Sequence, residues 1–244
     1  MHLSNKTILI TGGNSGIGFE LVKQLNVSEN LMVVVSRSKN RWDFLRDIQP
    51  RVSLLQCDLS SKSSVLQLIQ ELKTKSIAPD VLINCAAVQN SPTLIDPVFD
   101  FDSIETETTI NFIAPVWLSH QLLPDLQNKD EAIIVNITSG LALYPKTTSA
   151  IYCATKAAMH NFSQCLRYQL AETSVSVKEI ILPLVDTPMT QGRGKGKLPA
   201  LYVAKEIAKA ITGSRDEIYL GKARLLPVMS RIWPSLIKRI LQSY

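Results

Sequence analysis

One stretch decides the fold of this chain: Lys6-Thr7-Ile8-Leu9-Ile10-Thr11-Gly12-Gly13-Asn14-Ser15-Gly16-Ile17-Gly18. A β-branched apolar run leads into spaced glycines, and an amphipathic helical pattern follows at once. Because Gly12, Gly16 and Gly18 have no side chains, the backbone can turn sharply and approach a pyrophosphate, which then lies at the N-terminus of the helix. The order strand, glycine turn and helix therefore predicts a dinucleotide-binding turn, with an ordinary strand–helix connection as the alternative.

The rest of the chain alternates between short apolar runs, typical of buried parallel strands, and longer helical patterns. After the opening strand, the apolar runs cover residues 31–36, 51–59, 81–83, 132–139, 176–182 and 217–220. The sequence has no internal repeat beyond this alternation and no interdomain linker. We therefore predict an α/β fold over residues 1–244: a single doubly wound Rossmann domain whose seven-stranded parallel sheet has helices on both faces.

The composition is that of a folded domain, with 45% hydrophobic and 19% charged residues. The polar start of the chain and the absence of a long apolar run predict neither a secretory signal nor a membrane span. The four cysteines are scattered and the three histidines lack metal-ligand spacing, which predicts a reduced, cytoplasmic protein without a metal site. The formal charge of +5 suits solubility, and we expect no nucleic-acid partner.

The second predicted strand ends in a basic turn, Ser36-Arg37-Ser38-Lys39. In dinucleotide folds this position meets the adenosine ribose, where an acid selects a free 2′-hydroxyl and an arginine accepts a 2′-phosphate. Here Arg37 stands where the acid would be. We therefore predict NADP(H) rather than NAD(H), with a solvated basic turn as the alternative.

A second informative stretch contains Tyr152 and Lys156, which are four residues apart and so share one face of a predicted helix. A neighbouring ammonium favours the phenolate, so we expect a lowered tyrosine pKa and proton exchange with an alcohol or carbonyl oxygen near neutral pH. Ser139 ends the fifth strand and can hold the same oxygen. A nicotinamide would supply the hydride. Neither a G-x-S-x-G elbow nor a phosphate loop of the G-x-x-x-x-G-K-[ST] type is present, which argues against a hydrolase or a nucleoside triphosphatase.

Three further segments are informative. A helical pattern covers residues 100–126, with Asn111 in its middle and Pro115 one turn later, where a proline can kink the helix. Residues 191–197 are glycine-rich and basic, and we interpret them as a mobile, solvated lid, with selection of anionic substrates as the alternative. Residues 222–244 form a basic amphipathic tail, which predicts packing on this chain or a second subunit, with contact at an anionic membrane surface as the alternative.

Taken together, these motifs resemble those of the short-chain dehydrogenase/reductase family, over residues 6 to about 189. The family's T-G-x-x-x-G-x-G motif is present from Thr11 to Gly18, and its N-N-A-G motif appears in altered form at residues 84–87. The family's Asn, Ser and Y-x-x-x-K tetrad matches, in order and spacing, Asn111, Ser139, Tyr152 and Lys156. The C-terminal tail also resembles that of oxidoreductases that accompany bacterial D-alanine–teichoic-acid genes.

The resemblance implies a role for each matched residue. Tyr152 would be the general acid/base, Lys156 would bind the nicotinamide ribose and lower the tyrosine pKa, Ser139 would orient the substrate oxygen, and Asn111 would anchor a water in a proton relay. Asp58 would contact the adenine and Thr187 the nicotinamide amide. The full set of expected cofactor-binding residues is Gly12, Asn14, Ser15, Gly16, Ile17, Gly18, Ser36, Arg37, Asp58, Leu59, Asn84, Ala86, Tyr152, Lys156 and Thr187.

The resemblance predicts an NADP(H)-dependent oxidoreductase that interconverts a carbonyl and a secondary alcohol. The alternative is a non-catalytic regulatory or scaffold protein of the same fold. Ala87 and Leu184 replace two family glycines, so the geometry beside the nicotinamide is an open point. We expect a homodimer or homotetramer, a small-molecule substrate, and a partly apolar pocket lined by Leu141, Leu143, Tyr144 and Met189.

Overall fold

The computed structural model, which describes residues 3–26, 29–40, 42–48 and 51–232, joins the predicted strands into a sheet. The strands are β1 (Thr7–Thr11), β2 (Leu31–Ser36), β3 (Val52–Gln56), β4 (Val81–Asn84), β5 (Ala132–Ser139), β6 (Val175–Leu182), β7 (Val185–Asp186), β8 (Leu198–Pro199) and β9 (Glu217–Tyr219). Within the described residues, one seven-stranded parallel sheet has the order β3-β2-β1-β4-β5-β6-β9. The predicted doubly wound α/β fold is therefore confirmed.

Helices cover both faces of the sheet. They are α1 (Gly16–Leu25), α2 (Trp42–Ile48), α3 (Lys62–Thr74), α4 (Ser103–Thr108), α5 (Ala114–Gln127), α6 (Ala150–Gln169), α7 (Ala200–Thr212) and α8 (Leu226–Ile232). Ile8 and Ile10 of β1 pack with α1 and α7, whereas Leu9 between them packs on the opposite face with α3 and α5. All three side chains are fully buried, and each such burial contributes about 1.5–3 kcal/mol. Burial on both faces explains why these strands are continuous apolar runs.

The strand order changes direction beside β1, because β2 lies on one side of it and β4 on the other. In open α/β sheets, such a switch point leaves a crevice at the carboxyl ends of the strands, where ligands bind. Thr11 ties the two strand ends together: its hydroxyl oxygen accepts hydrogen bonds from the backbone N–H groups of Cys85 (3.0 Å) and Ala86 (3.1 Å). The crevice therefore opens at the end of the glycine-rich stretch.

A π-helical turn, Thr109–Ile113, joins α4 to α5. The Ala114 N–H donates to the Thr109 carbonyl, one residue further back than in an α-helix. Pro115 follows in the first turn of α5, where its missing N–H is tolerated. The predicted helix over residues 100–126 thus begins only at Ser103 and contains a widened turn that accommodates the proline.

Several elements differ from the sequence predictions. Helix α2 and the parallel pair formed by β7 and β8 had no recognised sequence signal. The third strand ends at Gln56, so Cys57 and Asp58 already belong to the turn beyond the sheet. In the tail, Gly221–Leu225 forms a 3₁₀ turn that leads into α8, and residues 233–244 lie outside the described part. Among the described helices, none combines the length and apolarity of a membrane span.

Candidate active site

The glycine turn brings backbone very close to backbone. Gly12 has a φ of +71°, and its N–H donates to the Val35 carbonyl at 2.8 Å, which holds the turn against β2. A Cβ at Gly18 would lie 2.4 Å from the Gly12 carbonyl oxygen, so only glycine fits there. Ser15 precedes α1, and its side chain makes no capping hydrogen bond. The start of the helix is therefore open toward the crevice, as an anion at a helix N-terminus requires.

The turn after β2 has a cation and no acid. Arg37 is exposed there, and it lies close enough to Asp58 to contribute to a lowered pKa of that carboxyl. The larger cause of that lowering is hydrogen bonding from Ser60. The Ser36 hydroxyl accepts a hydrogen bond from Trp42 Nε1 at 2.9 Å and donates one to the Ser38 carbonyl at 2.8 Å. These two hydrogen bonds stabilise the turn after β2.

A single cleft of about 1230 Å³ connects the glycine turn, the ends of β2 to β6 and the segment after β6. The predicted cofactor-binding residues line it, except for Asn84. Asn84 is buried, and its Nδ2 donates to Asn136 Oδ1 at 2.8 Å, so its side chain links strands β4 and β5 instead. A cleft of this size exceeds the roughly 300–1,000 Å³ of typical small-ligand pockets.

Three members of the predicted tetrad line this cleft: Ser139, Tyr152 and Lys156. The Ser139 and Tyr152 hydroxyls are hydrogen-bonded to each other. The Ser139 oxygen also accepts the Leu141 N–H at 3.2 Å. Lys156 lies 5.7 Å from the centre of the Tyr152 ring, and its ammonium donates to the Ile137 carbonyl at 2.9 Å. The one-turn spacing on α6 therefore brings the two side chains together as expected.

The fourth member, Asn111, is buried in the π-helical turn and does not line the cleft. Its Oδ1 accepts the Val88 N–H at 2.8 Å, and its Nδ2 donates to the Val88 carbonyl at 2.9 Å and to Thr155 Oγ1 at 3.3 Å. The side-chain amide thus satisfies both backbone hydrogen-bonding groups of Val88, much as a neighbouring strand would. Asn111 fixes the wall of the cleft through these contacts.

The electrostatics of the tyrosine–lysine pair differ from the sequence expectation. Burial raises the pKa of Tyr152 to about 12; Cys153 adds to the rise, and the hydrogen bond with Ser139 opposes it. Burial also lowers the pKa of Lys156 to about 8. The prediction that Lys156 lowers the pKa of Tyr152 is wrong here, because the ammonium is directed to the Ile137 carbonyl and desolvation dominates both groups.

The basic segment 191–197 borders the cleft, and most of its residues are exposed, as the predicted solvated lid requires. Two of its cations, Arg193 and Lys197, are half-buried and bound to other residues. Arg193 donates through Nη1 to Ser91 Oγ at 2.6 Å and through Nη2 to the Met189 carbonyl. Lys197 donates to the Thr190 carbonyl at 2.6 Å. The contact with Ser91 connects the segment to the loop after β4, which lies far away in the sequence.

Helix α8 also covers part of the cleft, a contribution that the sequence did not reveal. Leu226 lies against Gly140, since a Cβ at that glycine would be 2.7 Å from the leucine methyl group. Leu225 and Met229 join the apolar wall, together with the predicted pocket residues Leu141 and Met189. The other two predicted pocket residues, Leu143 and Tyr144, are not among the residues that line the cleft.

The comparisons with known proteins agree with this geometry. A family model described as "short chain dehydrogenase" matches residues 6–198. The chain belongs to the short-chain dehydrogenase family. This confirms the family resemblance found in the sequence, and the chain is an oxidoreductase of that family.

Two relatives and two solved structures illustrate the similarity. The uncharacterized oxidoreductase DltE of Bacillus subtilis is 39% identical over 191 residues, which are 78% of this chain and 76% of that protein. A fatty acyl-CoA reductase of Acinetobacter baylyi is 29% identical over 195 residues, 77% of this chain and 65% of that protein. A short-chain dehydrogenase of Burkholderia cenocepacia in complex with NADP superposes with a TM-score of 0.87 over 99% of both chains, at 22% identity. A 4-hydroxyisoleucine dehydrogenase complexed with NADH gives 0.81 over 88% of this chain and 97% of the other, at 20% identity. The two structures establish the fold.

Proposed function

We propose that this protein is an NADP(H)-dependent oxidoreductase that interconverts a carbonyl and a secondary alcohol, with Tyr152 as its general acid/base. The observation that carries the proposal is one shared cleft: the Tyr152 hydroxyl, bonded to Ser139, lies in the same cavity as the glycine turn and Lys156. A nicotinamide cofactor needs this combination, because the dinucleotide and the proton donor must meet at one substrate atom.

The residues fit a phosphorylated dinucleotide. The backbone-close turn from Gly12 to Gly18 leaves room for a pyrophosphate beside the start of α1, where no side chain caps the helix. The exposed Arg37 supports binding of a 2′-phosphate in place of a free ribose hydroxyl. Asp58 would face the adenosine and Thr187 the nicotinamide amide. When bound, the nicotinamide supplies the hydride that no side chain can provide.

Proton transfer follows from the arrangement of two hydroxyls. The Ser139 oxygen is already an acceptor for the Leu141 N–H, so its hydrogen is available for the Tyr152 oxygen. The phenol hydrogen is then free to be donated to a substrate carbonyl oxygen. Because burial raises the pKa of Tyr152 to about 12, the phenol remains protonated throughout the neutral range. The resting protein is therefore prepared for carbonyl reduction.

Lys156 has a supporting role in this scheme. Its ammonium is anchored by the Ile137 carbonyl and lies 5.7 Å from the centre of the Tyr152 ring, so it carries a positive charge beside the ring that a ribose hydroxyl would contact. Burial lowers its pKa to about 8, so part of this charge is lost as the pH rises above neutrality. Reduction activity should accordingly decline with a midpoint near pH 8.

The decisive variant is Tyr152→Phe, which removes the hydroxyl and keeps the ring. We expect NADPH oxidation with a panel of aldehydes and ketones to fall by about 10²–10⁴-fold, the usual contribution of a general acid, while NADPH affinity measured by its fluorescence stays within about twofold. Tyr168→Phe is the matched control, because Tyr168 is on the same helix and 76% exposed. Unchanged turnover in Tyr152→Phe would refute the mechanism.

The alternative, a non-catalytic cofactor-binding scaffold, makes a different prediction. In that case NADPH binds, yet no aldehyde, ketone or acyl thioester in the panel is reduced by the unmodified protein. The hydrogen bond between Ser139 and Tyr152 inside the cleft argues for catalysis, because a cofactor-binding scaffold has no need for an aligned proton donor.

The predictions made from the sequence about substrate, partners and location remain proposals. We propose a small carbonyl or alcohol substrate, a cytoplasmic homodimer or homotetramer, and no nucleic-acid partner. Membrane contact through residues 222–244 is a further prediction, which co-sedimentation with anionic vesicles would test. Helix α8 contributes Leu226 and Met229 to the cleft wall, which favours a role for this part of the tail in the site itself.

A further inference from the structure

The cleft is rich in positive charge, and several of its cations belong to segments other than those assigned to the dinucleotide. Of the described residues that line it, Asp58 is the one carboxylate, and it lies at the adenosine end. Arg37 and Lys156 belong to the proposed dinucleotide site. Four further cations line the remainder, near the substrate end and the segment after β6: Lys146, Arg193, Lys195 and Lys222. Two of these, Lys195 and Lys222, are exposed, whereas Lys146 and Arg193 are half-buried.

Arg193 has a fixed position beside the proposed proton donor. Its two hydrogen bonds join the loop after β4, at Ser91, to the 3₁₀ turn at Met189. The next residue, Gly194, has a φ of +64°, a left-handed conformation that favours glycine. The Arg193 charge lowers the pKa of Tyr152, and so opposes the larger rise that burial causes. Arg193 is thus anchored by hydrogen bonds and lines the same cleft as Tyr152.

Lys146 provides a second cation at the same place. It precedes α6 and lines the cleft, and its pKa is lowered first by burial and then by the positive charge of Arg193. Two like charges held near each other and partly out of water are costly unless an anion joins them. An anion bound in the cleft would offset this cost.

Glu107 does not fill that role. It is 1% exposed, does not line the cleft, and accepts the Asn90 N–H through Oε1, so it stabilises the loop after β4. Burial raises its pKa, against the opposing effects of the Asn90 N–H and the Arg193 charge, so Glu107 offsets only part of that charge. Its Oε2 has no hydrogen-bond partner among the described residues. Among the described residues, no carboxylate therefore lines the cleft beside these two cations, and an anion bound there would be their partner inside it.

We propose that the substrate is an anionic carbonyl compound whose carboxylate or phosphate is bound by Arg193 and Lys146 while its carbonyl oxygen meets Tyr152. The apolar wall that includes Leu225 and Met229 would hold the carbon skeleton. This inference rests on the proposed reductase function, because it assigns a substrate class to the same site. Arg193 can serve this role beside its bonds to Ser91 and Met189, because a guanidinium carries five N–H donors and its charged hydrogen bonds to carboxylate or phosphate are strong.

The test compares charged substrates with neutral counterparts. NADPH oxidation is measured for oxo acids against their methyl esters, and for dihydroxyacetone phosphate against dihydroxyacetone, which separates carboxylate from phosphate recognition. The variants are Arg193→Met and Lys146→Met, with Arg193→Lys to retain the charge. Arg215→Met and Lys205→Met are matched controls, because both residues are exposed and lie outside the cleft.

The expected result is a kcat/KM for one class of anion that exceeds that of its neutral counterpart by about 10- to 100-fold, as one charged hydrogen bond would give. This preference should disappear in Arg193→Met and Lys146→Met, persist in part in Arg193→Lys and remain in the controls, with unchanged NADPH affinity. Equal rates for charged and neutral compounds would overturn the inference and leave the reductase function intact. A parallel loss of NADPH affinity in both Met variants would also overturn it, because the two cations would then serve the cofactor.

A binding measurement separates failure of this inference from failure of the proposed function. Octanoate and inorganic phosphate are titrated into the NADPH-loaded protein, and the change in NADPH fluorescence is recorded. Saturable binding of either anion that is lost in Arg193→Met supports the anion site even if no carbonyl is reduced. Absence of binding of both anions, together with reduction of neutral ketones, rejects the anion site alone.

Discussion

Lys156 allows a quantitative test of the electrostatics of the site. It is 4% exposed, and burial lowers its pKa from 10.5 to about 8. Below about pH 8 the folded protein must hold a charged ammonium that the unfolded chain solvates freely. Between about pH 8 and 10.5 the unfolded chain binds more protons than the folded one, so the contribution of Lys156 to the free energy of unfolding rises with pH.

The size of this effect follows from the pKa. One pKa unit corresponds to about 1.36 kcal/mol, so lowering the pKa of Lys156 by about 2.5 units changes the free energy of unfolding by roughly 3 kcal/mol over the whole titration. About 2.5 kcal/mol of this change falls between pH 7 and pH 10. In Lys156→Met the group no longer titrates, while most of the aliphatic contact is retained. Between pH 7 and pH 10, the free energy of unfolding of the unmodified protein should therefore rise by about 2.5 kcal/mol relative to that of this variant.

The assay is urea unfolding of both proteins at pH 7, 8, 9 and 10. The difference between their free energies of unfolding removes the contributions of other titrating groups and the constant cost of the lost hydrogen bond to Ile137. Lys205→Met is the control, because it makes the same substitution at an exposed position on α7. A difference that stays constant, or that moves in the opposite direction, would refute the view that Lys156 is a costly buried charge.

Three further predictions follow from the geometry. Arg37→Asp should shift the preference for NADPH over NADH by about 100-fold toward NADH, measured as the ratio of the two kcat/KM values, since a charged hydrogen bond to phosphate becomes a repulsion; an unchanged ratio would remove Arg37 from the site. Gly18→Ala should lower stability by about 1–3 kcal/mol and weaken NADPH binding, because its Cβ would overlap a backbone oxygen 2.4 Å away; Gly213→Ala, whose Cβ meets nothing nearer than 3.4 Å, is the control. Asn111→Leu should lower the free energy of unfolding by about 2–4 kcal/mol, because the N–H and C=O of Val88 both lose their partner; a loss below about 0.5 kcal/mol would contradict its structural role.

Features encoded by local pattern were predictable from the sequence. The glycine turn needs no distant partner to be recognised, and the strands buried on both faces appear as short apolar runs. The side chains of Tyr152 and Lys156 meet because four residues make about one helical turn. Fold, switch point and most of the cleft lining follow from these local rules and from the connection of parallel strands.

Features that depend on distant contacts were not predictable in this way. The basic composition of residues 191–197 gives no indication that Arg193 reaches Ser91, which is about a hundred residues earlier. The pKa of Tyr152 depends on the surrounding desolvation, which the spacing to Lys156 does not reveal. Likewise, the packing of Leu226 on Gly140 requires the tail to fold back across the sheet edge, and no local signal indicates that path.

The wide turn at Thr109–Ile113 is the place where this helix can absorb a change in length. It holds one residue more than an α-helical turn would, so removal of one residue there would restore regular geometry and leave α4 and α5 nearly in phase. A deletion elsewhere in the helix that kept the wide turn would instead rotate everything upstream by about 100° and move Glu107 away from the Asn90 N–H. Homologous chains should therefore differ in length at this turn more readily than elsewhere in the helix.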